Sequence, residues 1–245
     1  MRYYLNSADK LDPVEFAGRS KAVCDAYLQA EELQKQGTHL LSTDEKTGIQ
    51  ALERDAPTLP MRPGQVERQE YNYERHGTLC LTANLDVATG KIVAPTIGPT
   101  RGEQDFAAHI EQTIATDAQG TWIFVADQLN THQSEALVRL VGKHCRIETD
   151  LGIKGKSGIL KSRATRRTFL ENPTHRIRFL YTPRHASWLN QVEIWFGILA
   201  RRLLKRASFE SLEQLRERLL AFIDYFNRTL AKPFQWTYKG KVLVG

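Results

Sequence analysis

Three carboxylates stand where a folded chain could bring them to one point. Asp44 lies in LLSTDEKTGIQALER, Asp127 in WIFVADQLNTH and Glu193 in TPRHASWLNQVEIWFGIL. Asp44 and Asp127 each close a short apolar run, which places each at the end of a strand. Glu193 falls in the first turns of a predicted helix. Converging carboxylates repel one another strongly unless a cation lies between them. Divalent ions such as Mg²⁺ or Mn²⁺ take hard oxygen ligands and keep open positions for phosphate oxygens. Two such ions about 4 Å apart can activate a water or hydroxyl and stabilise an anionic leaving group, the chemistry of phosphodiester cleavage.

Each carboxylate also has a structural alternative. Asp44 reads equally as a strand-end or turn aspartate, and Asp127 as an Asx-turn after a strand. Asn190 followed by Glu193 fits a helix cap with an acidic third residue, a variant of the capping box. Glu45 and Lys46 flank Asp44 and read as supporting or surface residues rather than ligands. His132 is either a helix-start histidine or a group near a scissile phosphate. His185, Ser187 and Asn190, just ahead of the Glu193 helix, join it as candidate substrate contacts.

The elements that must position these groups follow from periodicity. Residues 11–36 read as a helix with Asp12 as N-cap and Pro13 in the first turn, carrying Phe16, Val23, Tyr27 and Leu33 as a stripe and stopping at Gly37. HLLSTDE reads as a strand into Asp44. TLCLTANLDVATGKIVAPTI reads as a hairpin turning at Ala88-Thr89-Gly90, and TWIFVAD as a buried strand. Helices are predicted over 103–117 and 133–144, a strand at IRFLYTP, then helices near 190–206 and 209–230, the last opening at Ser208 or Ser211. Strands first paired by hairpins and later separated by helices predict an α/β mixed sheet flanked by helices. On the Glu193 helix, Val192, Trp195, Phe196, Leu199 and Leu203 form an apolar face, so Trp195 reads as core.

Composition narrows the class. The 245 residues are 41% hydrophobic and 25% charged, ordinary for a globular protein. No apolar run approaches a bilayer span and the N-terminus lacks a signal core, so a cytoplasmic, nucleoid-associated protein with no membrane partner is expected. Three widely spaced cysteines indicate neither a disulfide framework nor a zinc site. The net charge of +6 is concentrated: residues 154–178 hold eight basic side chains against Glu171 alone. Localised basic charge is the footprint of a polyanionic partner. Lys154, Lys156, Lys161, Arg163, Arg166 and Arg167 are therefore candidate DNA contacts, with a solvated loop as the plain alternative. Arg201, Arg202, Lys205 and Arg206, at a helix end, fit backbone contact or complementation of the helix dipole equally well.

Taken together, DEKTGIQALER, ERHGTLCLTANLDVATGKI, VADQLNTH, TPRHASWLNQVEIWF, RRLLKRASFESLEQL and FIDYFNRTLAKPFQWTYKGK, in this order, resemble a known family. The chain looks like the catalytic domain of a DDE transposase, in the bacterial insertion-sequence branch related to mariner elements. The resemblance spans about residues 40–241. It implies a ribonuclease H-like fold with a five-stranded sheet, and Asp44, Asp127 and Glu193 as catalytic ligands of two Mg²⁺ or Mn²⁺ ions. It further implies cleavage of element ends, strand transfer into target DNA, and a homodimer assembled on DNA. A stand-alone ribonuclease H-like nuclease and an inert DNA-binding remnant of a decayed element are the rival readings.

Two departures from the family pattern stand out. The spacing between Asp127 and Glu193 is longer than in the mariner-related branch, with a basic insertion over about 145–175 whose stretch 152–168 reads as a long loop. Residues 1–37 read as a helical linker remnant ahead of a catalytic domain over 38–245, too short for the helix-turn-helix modules such enzymes usually carry. A separate helix-turn-helix polypeptide is then an expected partner.

Overall fold

The computed structural model describes residues 13–57, 59–68, 70–205 and 207–238. The N-cap read at Asp12 and the cation Arg206 lie outside the described residues. Five strands form one mixed sheet: β1 (Thr38–Arg54), β2 (Tyr73–Asp86), β3 (Ile92–Gly98), β4 (Thr121–Ala126) and β5 (Ile177–Tyr181). Their order is β3-β2-β1-β4-β5, with β1, β2 and β3 antiparallel and β1, β4 and β5 parallel. Among the described residues seven α-helices accompany them: α1 (Pro13–Leu28), α2 (Ala30–Lys35), α3 (Glu103–Ile114), α4 (Glu135–His144), α5 (Arg163–Leu170), α6 (Val192–Leu199) and α7 (Leu212–Thr229). This is the mixed five-stranded sheet flanked by helices that the resemblance implies.

Alternation along the strands splits the core between two faces. Trp122, Phe124 and Ala126 of β4 join Phe179 and Tyr181 of β5 under α3, α4 and α5. Ile123 and Val125 face the other way, with Leu40, against Val23, Tyr27 and Ala30 of α1 and α2. Farther along that sheet, Ile49, Ala51, Leu79 and Leu81 pack on Trp195 and Phe196 of α6 and on Leu215, Leu219 and Ile223 of α7. With both faces covered, β4 is buried from Trp122 to Ala126, which is why it reads as a continuous apolar run.

Several boundaries differ from the sequence reading. The first helix divides at Gln29, and Gly37 ends the second piece with φ of +76°, as expected of a left-handed stop. β1 continues ten residues past Asp44 to Arg54, so Asp44 lies inside a strand rather than at its end. A register shift between Lys46 and Ile49, with Gly48 at φ +64°, breaks the alternation there and hid the continuation. The supposed loop at 152–168 contains α5, whose Phe169 and Leu170 are buried. Its Ser162 cap accepts a hydrogen bond from Thr165 N, and the stretch of basic residues masked that short amphipathic pattern. α7 opens at Ser211, whose hydroxyl accepts from Gln214 N at 3.1 Å. The helix over 190–206 is shorter at its start and passes into a π-turn over Ala200–Leu204.

The chain leading into α6 is fastened to β1 by buried polar groups. Asn190 Oδ1 accepts from Ser42 Oγ, and its Nδ2 donates to Thr43 O at 2.9 Å and to Asp44 Oδ2 at 3.3 Å. Ser42 Oγ in turn accepts from Val192 N at 2.8 Å. Tyr27 of α1 donates from its hydroxyl to Leu189 O at 2.9 Å. Asn190 is fully buried, so it contacts β1 and not a substrate, and its side chain caps no helix. Asn190→Ala should therefore destabilise the protein by about 2–4 kcal/mol, because buried partners lose their hydrogen bonds. Denaturant melts measure this; a loss below about 0.5 kcal/mol would mean that Asn190 does not fasten α6.

Candidate active site

Neighbouring parallel strands bring Asp44 and Asp127 together. β1 and β4 pair up to Ser42 opposite Val125, so Asp44 and Asp127 lie just beyond the last paired residues. Glu193 is the second residue of α6, which packs across β1 and β2. Asp127 and Glu193 sense each other electrostatically, as do Asp127 and Asp44. Asp127 thus couples to both Asp44 and Glu193, although the three lie on separate elements, while Asp44, Glu45 and His132 bring ligand atoms within 4.8 Å of one another.

Each carboxylate is held differently. Asp44 is buried; its Oδ1 accepts from Glu45 N at 2.8 Å. Burial and the neighbouring Asp127 charge together push its pKa up to about 7. Asp127 accepts on Oδ1 from Leu129 N at 2.9 Å, the Asx-turn anticipated as its alternative. The same Oδ1 lies 2.7 Å from His132 Nδ1. Burial alone would raise the Asp127 pKa, but the hydrogen bond and charge of His132 outweigh it and leave the carboxylate lowered. Glu193 is exposed, and its side chain does not reach back to Asn190 N, which donates instead to Ser187 O at 2.8 Å. The capping alternative for Glu193 is therefore not realised. Its pKa is raised by partial desolvation and by Asp127, against the pull of Lys46.

The other candidates divide into those at the surface and those inside. Asp127, Gln128, Arg163, Arg184, His185 and Ser187 line a shallow groove at the carboxyl end of β4. His185 holds a φ of +56° there, a strained backbone of the kind found at ligand-contacting loops. His132, by contrast, has no exposed surface, so it cannot touch a substrate. Although burial disfavours its charge, hydrogen bonds to Asp127 and Glu45 raise its pKa to about 10. Glu45, read as a supporting or surface residue, has a side chain only 2% exposed and sits 3.1 Å from His132 Nε2. Nothing local to Glu45 signals this pairing beyond its adjacency to Asp44.

The basic residues are also unequal. Arg166 is half-buried and donates to Gln133 O at 2.7 Å and Leu160 O at 3.3 Å, an internal tie rather than a free cation. Arg167 lies 3.7 Å from Glu15 and 3.9 Å from Glu171, Lys154 lies 3.1 Å from Glu103, and Arg163 donates to Asn130. Lys156, Lys161, Arg201, Arg202 and Lys205 are exposed.

A family model described as DDE superfamily endonuclease matches residues 39–216. The chain belongs to this superfamily. Among curated proteins none matches. Solved structures share the fold at low identity. A Mos1 mariner paired-end complex with Mn aligns at 14% identity and a TM-score of 0.54, covering 92% of this chain and 58% of that one. The catalytic domain of Mos1 mariner transposase aligns at 11% identity and a TM-score of 0.51, covering 91% of this chain and 85% of that one. The chain thus spans less than two thirds of the Mos1 chain in the paired-end complex and most of its catalytic domain. No helix among the described residues is long and apolar enough to cross a membrane.

The donor set fits a divalent cation. It offers hard carboxylate oxygens, and a positive ion near Asp44 and Asp127 would offset the burial and the Asp127 charge that together raise Asp44. Without metal, the sign of the pH effect is fixed. A carboxyl raised in the fold favours folding only while protonated, so its penalty grows as pH rises from its unfolded value through about 7. In a chelating buffer, Asp44→Asn should therefore be more stable than the natural protein at pH 8, by roughly 4 °C or more in melting temperature, with a smaller gap at pH 5. A gap that is absent, or that shrinks from pH 5 to pH 8, would contradict the burial and repulsion that raise Asp44.

Proposed function

We propose that this chain is the catalytic domain of a DDE transposase that cuts DNA at element ends and joins the freed 3′-hydroxyl to target DNA. One observation carries the reading: Asp127 lies beside an exposed groove and is coupled electrostatically to Asp44, from the adjacent parallel strand, and to Glu193, from α6. In this reading Asp44, Asp127 and Glu193 hold two Mg²⁺ or Mn²⁺ ions. When bound, such ions activate the attacking hydroxyl or water and stabilise the leaving 3′-oxygen.

The chain's own residues do the positioning. Asn190 and Ser42 fix the start of α6 against β1, which sets where Glu193 stands relative to Asp44. Arg184, His185 and Ser187, on the groove wall, would orient the scissile strand by contacting its phosphates. The Mos1 paired-end complex with left transposon end supports element-end DNA as the partner proposed here; a homodimer assembled on it is part of the same proposal.

The test is metal-dependent nicking of supercoiled plasmid, with chelator as control. Asp127→Asn and Glu193→Gln should each lower the nicking rate by about a thousandfold or more, while thermal stability stays within about 1 kcal/mol. Wild-type nicking rates in either variant would reject the assignment. Nicking without joining to a target duplex would favour a stand-alone nuclease, and no nicking at all an inert remnant.

The division of the basic residues predicts a second contrast. Replacing Lys156 and Lys161 with Ala should reduce the salt slope of log affinity for any duplex by up to about 0.9 per lost phosphate contact, with melting unchanged. Arg166→Ala should instead destabilise the fold by about 1–3 kcal/mol. An unchanged slope in the lysine variant would make its loop a bystander.

A further inference from the structure

His132 and Glu45 form a buried pair behind Asp127 that direct substrate contact does not explain. The imidazole has no exposed surface and the Glu45 side chain is 2% exposed. His132 Nδ1 lies 2.7 Å from Asp127 Oδ1, and Nε2 lies 3.1 Å from both Glu45 oxygens. Ionised carboxylates only accept hydrogen bonds, so a ring held between two of them donates from both nitrogens. The ring cannot easily turn away. It packs on buried Phe106 with centroids 4.2 Å apart, and its backbone carbonyl accepts from the Tyr181 hydroxyl at 2.6 Å.

The two oxygens of Asp127 are treated unequally. Oδ1 accepts from Leu129 N and lies 2.7 Å from His132 Nδ1, which also donates to the Asp127 backbone carbonyl at 3.3 Å. Oδ2 has no hydrogen-bond donor among the described residues. A carboxylate fixed through one oxygen presents the other in a set direction. Glu45, next to Asp44 on β1, anchors the far side of the ring, so the pair also ties β1 to the loop after β4.

We propose that Glu45 and His132 are positioning residues that hold Asp127 through Oδ1 and leave Oδ2 facing the cation site. Asp44, Glu45 and His132 bring ligand atoms within 4.8 Å of one another, but a ring that donates from both nitrogens has no lone pair for an ion, so here the pair acts through Asp127. The proposal rests on the reading of Asp127 as a metal ligand. It differs from mere core packing in a checkable way, because what matters is the donor at Nδ1 rather than the ring.

Asn and Gln separate the two nitrogens. In His132→Asn the amide nitrogen falls near the place of Nδ1 and still donates to Asp127. In His132→Gln it falls near the place of Nε2 and reaches Glu45 alone. Mn²⁺ binding is measured directly by electron paramagnetic resonance and calorimetry, alongside plasmid nicking and circular dichroism melts. His132→Gln is expected to weaken Mn²⁺ binding by about tenfold or more, and His132→Asn to stay within about threefold of the natural protein. Glu45→Gln, which keeps size and leaves the Nδ1 bond in place, should fold normally and weaken Mn²⁺ binding by about threefold to tenfold. Equal losses in the Asn and Gln variants, or wild-type binding by His132→Gln, would overturn the proposal. So would wild-type binding by Glu45→Gln if the His132 variants do not fold. Failure of the natural protein itself to bind Mn²⁺ would overturn the metal-site reading, and this proposal with it.

Discussion

The burial of Asp44 within reach of the Asp127 charge is the constraint around which this structure is organised. Two adjacent parallel strands carry carboxylates to the same end of the sheet, and burial of Asp44 leaves little water to screen them. Burial first, and the Asp127 charge with it, push the Asp44 carboxyl up to about 7. A fold with no use for such a pair would avoid it by placing a neutral side chain at either position. Here the surroundings do the opposite. Glu45 N and Asn190 Nδ2 hold Asp44, while Leu129 N and His132 hold Asp127.

Those supports also explain why distant segments are welded together. Asn190 lies 146 residues from Asp44, yet its amide sits against β1. Ser42, Thr43 and Asn190 form a buried polar cluster, and Thr43 Oγ1 extends it to Asn84 of β2 at 2.5 Å. Such networks are worthwhile only when nearly every group is satisfied. The result is a rigid platform on which α6 starts, so the position of Glu193 is inherited from the sheet rather than from its own loop. The outer surface is less constrained. The groove wall at Arg184, His185 and Ser187 is exposed, where a polyanion can reach it.

Much of this was legible in the residues. The apolar runs around Asp127 and at IRFLY marked β4 and β5, because strands buried on both faces lose their alternation. Val192, Trp195, Phe196, Leu199 and Leu203 marked the buried face of α6, and all five are buried. What escaped had physical reasons. The register shift at Gly48 broke the period of β1, and eight basic side chains hid the short helix α5. Glu45 and His132 are polar residues in polar stretches, and nothing local reveals that both are turned inward. Asn190 looked like a helix cap or a substrate contact because both need the same side chain; only its long-range partners on β1 decide otherwise.

Anomalous diffraction from crystals grown with Mn²⁺ tests the central claim most directly. If repelling carboxylates exist to be bridged, anomalous peaks should fall within about 2.0–2.6 Å of oxygens of Asp44, Asp127 and Glu193. They should also vanish in crystals of Asp127→Asn. Mn²⁺ bound elsewhere, with these three carboxylates bare, would contradict the account.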